Sequence, residues 1–201
     1  EGHVEGGETI AAPVGSAGGI RRIQDYGGFF DDTFVVVCGD AVIDLDLTAV
    51  VRRHWQSGAV ASIVVREVPH ERLSSYGVVV CDEGGRIQSF QEKPQIEEAL
   101  SQLVNTGIYV FEPEVIDLIP QDVEFDIGSE LFPLMLEKGL AFNAIEAPFN
   151  WIDIGHLSDY WQANQQIMRG KLRGVRMPGT EVRPRIWTGL NVNVDWDEIR
   201  A

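Results

Sequence analysis

Two acids stand where acids are expensive. Asp40 follows Cys38-Gly39 at the C-terminal end of an apolar run over residues 34–38, and Asp153 lies inside Trp151-Ile152-Asp153-Ile154-Gly155. A carboxylate in an apolar strand costs free energy unless it is paired or bound to a cation. In open α/β sheets, ligands bind beyond the carboxyl ends of the strands. Two acids at such ends suit Mg²⁺, which takes one or two carboxylates plus substrate phosphates. The plainer alternative makes Asp40 a turn residue and Asp153 a cap or a buried hydrogen-bond acceptor.

Other groups offer recognition rather than reaction. Glu92-Lys93-Pro94 ends a strand. An adjacent acid and base point to opposite sides there unless the strand bends, and Pro94 favours extended geometry at Lys93. In isolation the group reads as a solvated turn. Asn105-Thr106-Gly107 opens a strand with donors and acceptors suited to sugar hydroxyls, and Gly107 leaves room. Tyr76-Gly77 starts another strand in the same way. The glycine-rich residues 15–19 offer backbone N–H groups to a nucleotide, but match neither a Walker loop nor a dinucleotide fingerprint.

Several candidates carry less. Asp44-Leu45-Asp46 is an acid-x-acid pair of the sort a metal-dependent glycosyltransferase uses, but it runs straight into a helix, so an N-cap and a first-turn role fit better. The histidines are scattered, and His54 reads as a solvated helix-face residue. Cys81 packs in a strand. Ser74-Ser75 lacks the context of a nucleophile elbow.

The elements that must position these residues follow from periodicity. Ser16 is read as the N-cap of a short helix ended by Gly27-Gly28. Residues 34–38 and 59–65 are continuous apolar runs, expected of strands buried on both faces. Between them, Asp46 opens a helix with Val50, Val51 and Trp55 as apolar positions and Gly58 as its stop. This order predicts a right-handed βαβ unit and a parallel sheet. Residues 76–82 and 86–90 flank Glu83-Gly84-Gly85 as a hairpin. A strand over 104–111, a Pro113-led helix, a helix over 127–138 and short strands at 141–146 and 151–154 follow. An amphipathic helix over 157–168 closes the core.

The 201 residues carry 31 acids against 16 bases, a net charge of −15. That disfavours nucleic acid as a partner, since binding it needs a basic surface. No apolar run approaches the 20 or so residues that cross a bilayer, so no membrane partner is expected. Two cysteines make neither a disulfide framework nor a metal spacing, and a reduced, cytoplasmic setting is the default. Beyond residue 168 bases outnumber acids and periodicity fades, which marks a boundary there.

Taken in order, these motifs identify a family. Gly15-Ser16-Ala17-Gly18, the run ending Cys38-Gly39-Asp40, Tyr76-Gly77-Val78-Val79, Phe90-Gln91-Glu92-Lys93-Pro94, Asn105-Thr106-Gly107-Ile108-Tyr109 and Trp151-Ile152-Asp153-Ile154-Gly155 resemble those of the sugar-1-phosphate nucleotidyltransferases. The resemblance implies an α/β fold: a Rossmann-like three-layer sandwich on a mixed, mainly parallel sheet. Residues 1–168 would form the catalytic domain. Residues 169–201 would be a connector toward a left-handed β-helix, with Asn191-Val192-Asn193-Val194 as its lead-in.

The resemblance also implies roles. Asp40 and Asp153 would bind Mg²⁺. Lys93 would bind the sugar phosphate and Glu92 the sugar hydroxyls. Gly77, Asn105 and Thr106 would line the sugar site, and Gly15, Ser16 and Ala17 the nucleotide base. Cys38 stands where many members carry Asn. The substrates would be an NTP and a sugar 1-phosphate, with GDP-mannose as the preferred product. Glucose 1-phosphate with ATP, UTP or dTTP is the alternative, and a regulatory relative without turnover a further one. A homo-oligomer of the full-length protein stays open. The family's opening loop, with the Arg and Lys that hold the triphosphate, has no match. It is expected upstream with the first strand, so residues 1–201 alone are expected to be inactive.

Overall fold

The computed structural model describes residues 2–5, 8–11, 14–175, 179–184, 186–189, 192 and 195. Apart from Val192, the expected β-helix lead-in at residues 191–194 lies outside them. In chain order the elements begin with β1 (Gly2–Glu5), β2 (Glu8–Ala11), α1 (Gly15–Gly27), β3 (Phe34–Val37), β4 (Ala41–Ile43) and α2 (Leu47–Ser57). Next come β5 (Ala61–Glu67), β6 (Val78–Cys81), β7 (Ile87–Gln91), β8 (Leu103–Phe111) and α3 (Phe132–Glu137). The chain continues through β9 (Phe142–Glu146), β10 (Trp151–Asp153), α4 (Leu157–Met168), β11 (Thr180–Arg183) and β12 (Ile186–Thr188). Contacts divide the chain into two compact units, Glu1–Cys38 with Asp46–Ala147, and Gly39–Leu45 with Pro148–Ala201.

The first unit is built on a sheet of order β7-β6-β8-β5-β9, with β3 also on β8. β3, β5, β6 and β9 run one way, and β7 and β8 the other, so the sheet is mixed: four of its six strands share a direction, and β5 and β9 pair parallel. The passage β3–α2–β5 does join two strands of one direction. β8 lies between them and bonds antiparallel to both, so the two strands do not pair directly. The expected hairpin forms as β6 and β7.

Alternation along β5 makes the layers. Ala61, Ile63 and Val65 turn to a core shared with Ala17 and Ile20 of α1 and Phe132 of α3. Ser62 turns to the opposite face, where it meets His54 of α2. The Phe132 ring sits 5.3 Å from that of Phe90, 5.4 Å from Tyr109 and 4.9 Å from Phe142. Buried aromatics of this size dominate core energetics.

Several local expectations are corrected. β3 is not buried on both faces: Val35 is 37% and Val37 41% exposed, because alternation turns only Phe34 and Val36 to the core. α1 starts at Gly15 after Val14, so Ser16 is inside the first turn rather than its cap. The Pro113-led segment is a 3₁₀ helix, Pro113–Leu118. α4 does not close a core, since Leu157, Tyr160 and Trp161 are exposed and only Ala163 is buried.

His54 is the largest departure, being fully buried rather than solvated. Asp46 caps α2 as expected, accepting from the Ala49 N–H at 3.0 Å. From that start the helical phase turns Val50 and His54 inward together and Trp55 outward. The His54 ring bridges Ser62 Oγ, 2.8 Å from Nδ1, and Glu112 Oε1, 2.9 Å from Nε2. A carboxylate only accepts, so Nε2 donates to Glu112, while Nδ1 shares a hydrogen bond with the Ser62 hydroxyl. Thr33 donates to Glu112 and accepts from the Trp55 indole. The buried polar groups are thus paired, as burial demands.

In the second unit β4 and β10 form a short antiparallel ladder. Asp44 holds it to the chain that follows α4. Its side chain is fully buried, and it accepts from the Asn150 N–H and Nδ2, each at 2.6 Å, and from the Arg173 N–H at 2.9 Å. Burial pushes the Asp44 pKa up. Hydrogen bonds from Arg173 and Asn150 together outweigh it and hold the carboxyl well below the usual carboxylate range.

Two outcomes are expected. His54→Ala leaves a cavity and two unpaired buried groups, and should lower stability by about 3 kcal/mol in urea unfolding, while exposed Arg52→Ala stays within about 0.5 kcal/mol. For Asp44, a depressed folded pKa contributes stability above the unfolded pKa of about 3.9, which is lost as pH falls from there toward the folded value. The stability gap between wild type and Asp44→Asn should therefore be full near pH 7 and shrink as pH falls below about 4. A gap independent of pH would contradict the depressed pKa.

Candidate functional site

The β4–β10 ladder carries the two acids named from sequence. Ala41 pairs with Asp153, Val42 with Ile152 and Ile43 with Trp151. The Ile154 N–H donates to the Asp40 carbonyl at 3.0 Å. Asp153 therefore stands opposite Ala41, and Asp40, one residue before β4, opposite Ile154; Asp40 is exposed and Asp153 half-buried. Among the described residues no group of three or more His, Cys, Asp or Glu side chains is poised to hold a metal. The acid-x-acid alternative does not form a site: Asp44 faces N–H donors, and Asp46 caps α2.

In the first unit the Asn105-Thr106-Gly107 motif sits on a bulge. β8 pairs with β5 at Ile63↔Tyr109 and again at Val65↔Asn105, so Thr106, Gly107 and Ile108 all stand opposite Val64. A bulge leaves ladder groups to be satisfied elsewhere. The Thr106 hydroxyl, 2% exposed, donates to the Val64 carbonyl at 2.7 Å. The Gly107 N–H donates to Asn105 Oδ1 at 2.9 Å, and the Gly107 carbonyl accepts from the Cys38 N–H at 3.0 Å. Gly107 has φ 74°, and a Cβ there would overlap Cys38 Sγ, so only glycine fits. Thr106 is thus held away from the exposed surface by its structural bond.

Asn105 is half-buried. Its Nδ2 donates to the Tyr109 hydroxyl at 2.9 Å, and its N–H donates to the Gly77 carbonyl at 2.8 Å. Gly77 lies against Phe90, whose ring a side chain would overlap. Burial pushes the Tyr109 phenol well above its ordinary range. Asn105 offsets this in part, and the charges of Cys38, Asp126 and Glu92 raise it further. The phenol stays protonated at neutral pH and is a donor.

Lys93 departs from the extended geometry expected before Pro94: its φ is 42°. A left-handed non-glycine residue is uncommon and costs on the order of 1 kcal/mol. The bend brings Lys93 Nζ to 3.7 Å from Glu92 Oε1, with both side chains well exposed. Acid and base thus share one side of the strand end.

The start of α1 is secured by residues that sequence reasoning passed over. The Ala17 and Gly18 N–H groups donate to the Phe125 carbonyl at 3.0 and 2.9 Å. These two amides are therefore committed inside the protein. Ser16 Oγ donates to Asp126 Oδ2 at 2.6 Å and accepts from the Ile127 N–H at 2.8 Å. Asp126 Oδ1 caps the next turn, accepting from the Gly128 and Ser129 N–H groups at 2.8 and 3.0 Å. Burial raises its pKa, and these bonds outweigh it and lower it. An acid just before the helical pattern at 127 was the available signal.

Comparison with known proteins bears on this constellation. The family model described as Nucleotidyl transferase matches residues 5–170. The chain is 53% identical over 199 residues to the UTP–glucose-1-phosphate uridylyltransferase of Synechocystis sp., covering 99% of this chain and 51% of that protein. It is 38% identical over 149 residues to mannose-1-phosphate guanyltransferase beta-B of Xenopus laevis, covering 74% of this chain and 40% of that protein. A solved UDP-glucose pyrophosphorylase complexed with UDP-glucose shares the fold, with TM-score 0.64 at 19% identity, covering 80% of this chain and 64% of that one. The chain spans about half the length of the curated relatives it matches. No described helix is long and apolar enough to cross a membrane. With the matched stretch running through every motif from Gly15 to Gly155, the chain belongs to the nucleotidyl transferase family.

Proposed function

We propose that the protein joins UTP and glucose 1-phosphate into UDP-glucose and pyrophosphate. The observation that carries this reading is the 53% identity, over nearly the whole chain, to a uridylyltransferase. It outweighs the GDP-mannose preference drawn from the motifs, which rests on relatives such as the one at 38%. In the reaction an oxygen of the sugar phosphate attacks the α-phosphorus. The bond from that phosphorus to the bridging oxygen breaks, and pyrophosphate leaves with the electron pair. The nucleophile is already ionised at pH 7, so no general base is needed. Positioning and charge neutralisation supply the rate.

Asp40 and Asp153 are proposed to hold Mg²⁺. Two carboxylates, one on β10 and one just before its partner strand β4, fall short of an all-protein cage and would suit a cation that completes its shell with water and phosphate oxygens. Bound there, it would neutralise charge on the phosphates. Lys93 would bind the sugar phosphate, and Glu92, Asn105 and Gly77 the sugar. Gly15, Ser16 and Ala17 would lie beside the base. Residues 1–168 would form the nucleotidyltransferase domain, with residues 169–201 as a connector.

Full-length protein should be assayed for pyrophosphate release with Mg²⁺, each of UTP, GTP, ATP and dTTP, and glucose or mannose 1-phosphate. UTP with glucose 1-phosphate should turn over fastest. GTP with mannose 1-phosphate as the fastest pair would restore the guanylyl reading. Asp40→Asn and Asp153→Asn should each lower kcat by about a hundredfold or more, and near-normal turnover of both at saturating Mg²⁺ would remove the metal role. Lys93→Ala should raise KM for the sugar phosphate by about tenfold and KM for the NTP by less, since the exposed ammonium acts as a screened point charge. Equal effects on both substrates would return Lys93 to a solvated turn.

A further inference from the structure

The Asp126 carboxylate has two faces. Oδ2 takes the hydroxyl of Ser16 in the first turn of α1, and Oδ1 takes the N–H groups of Gly128 and Ser129. Gly128 stands beside Glu92: a Cβ on it would lie 3.1 Å from Glu92 Oε2 and 3.5 Å from Asp126 Oδ1. The α1 turn is tied to the same segment through Phe125, whose carbonyl accepts from Ala17 and Gly18 and whose N–H donates to Val14. Ser16 also accepts from the Ile127 N–H. One short hydrogen-bonded strip, residues 125–128, therefore touches the α1 turn on one side and Glu92 on the other.

We propose that Ser16 is a positioning residue that, through Asp126 and Gly128, couples the α1 turn to Glu92, so that nucleotide and sugar phosphate are bound cooperatively. The coupling rests on the reading of the α1 turn as the nucleotide side and Glu92 as the sugar side. A hydrogen-bond network with few members can transmit a shift of the α1 turn to Gly128, because Asp126 cannot move toward Ser16 without loosening its Oδ1 bonds. Coupling of this kind is reciprocal: whatever nucleotide does to sugar-phosphate affinity, sugar phosphate does to nucleotide affinity. Ser16 acts through Asp126, so its removal should be felt at a site it does not line.

The test uses full-length protein and substitutions at Ser16, which is exposed and not part of the core. Ser16→Ala should raise KM for the sugar phosphate about five- to tenfold along with KM for the NTP, and Ser16→Thr, which keeps the hydroxyl, should restore both. Gly128→Ala, which crowds Glu92, should raise KM for the sugar phosphate, and its effect should be smaller in the Ser16→Ala background than alone. A change in KM for the NTP only, or strictly additive effects, would overturn the coupling. Amide hydrogen exchange gives a readout independent of turnover. Ser16→Ala should speed exchange at Gly128 and Ser129, and unchanged exchange there would also overturn it. If wild type releases no pyrophosphate with any substrate pair, the functional reading fails, while the exchange result still decides the Ser16–Asp126–Gly128 link.

Discussion

Strand β8 changes partner partway along, and the geometry of Asn105, Thr106 and Gly107 hangs on how that change is satisfied. Its N-terminal end pairs with β6, its C-terminal half with β3, and both ends with β5. Between the two regions the ladder breaks, and every backbone group freed there must find another partner or cost free energy. Thr106 satisfies Val64, Asn105 satisfies Gly107, and Cys38 donates to the Gly107 carbonyl. A bulge bends its strand and re-aims its side chains. Asn105 and Tyr109 are joined on one side of the break while Thr106 is buried on the other. A position resembling a sugar contact is thus, at Thr106, the support of its neighbour.

Carboxylates do the equivalent work around the sheet. Asp126 and Asp44 each accept two or more N–H or O–H donors, and Asp46 accepts a helix-capping N–H. Asp153 lies on the β4–β10 ladder opposite Ala41, and Asp40 immediately precedes β4. Burial alone does not mark a metal ligand: the Asp44 side chain is enclosed, and its oxygens are taken by N–H donors.

The Ser62–His54–Glu112 series shows how misleading residue types are without access. A serine, a histidine and an acid in hydrogen-bond contact form the alphabet of nucleophilic catalysis. Here His54 is fully buried, Ser62 is 1% exposed, and the chain of bonds ends on Thr33 and Trp55. No substrate carbonyl could reach Ser62. The network instead joins α2 to β5 and to the end of β8, where a half-satisfied set of polar groups would be costly.

The sequence alone determined the features that depend on neighbours a few residues away. The Asp46 cap and Gly58 stop of α2, the β6–β7 hairpin, the extent of α4 and the bracketing of β5 follow from periodicity and turn chemistry that act within about four residues. The order of the motifs determined the family. Partners far along the chain were decided only in the tertiary structure. Val64 is 42 residues from Thr106, and Asp126 is 110 from Ser16, so no local signal announces either bond. The helical phase that buries His54 was legible, but its polar partners on β5 and at Glu112 were not, and a histidine without visible partners reads as solvated. Lys93 shows the converse: the local preference before Pro94 is for extended backbone, yet the structure holds it left-handed. Local preferences are worth on the order of 1 kcal/mol, and the packing of a whole sheet outweighs them wherever the two disagree.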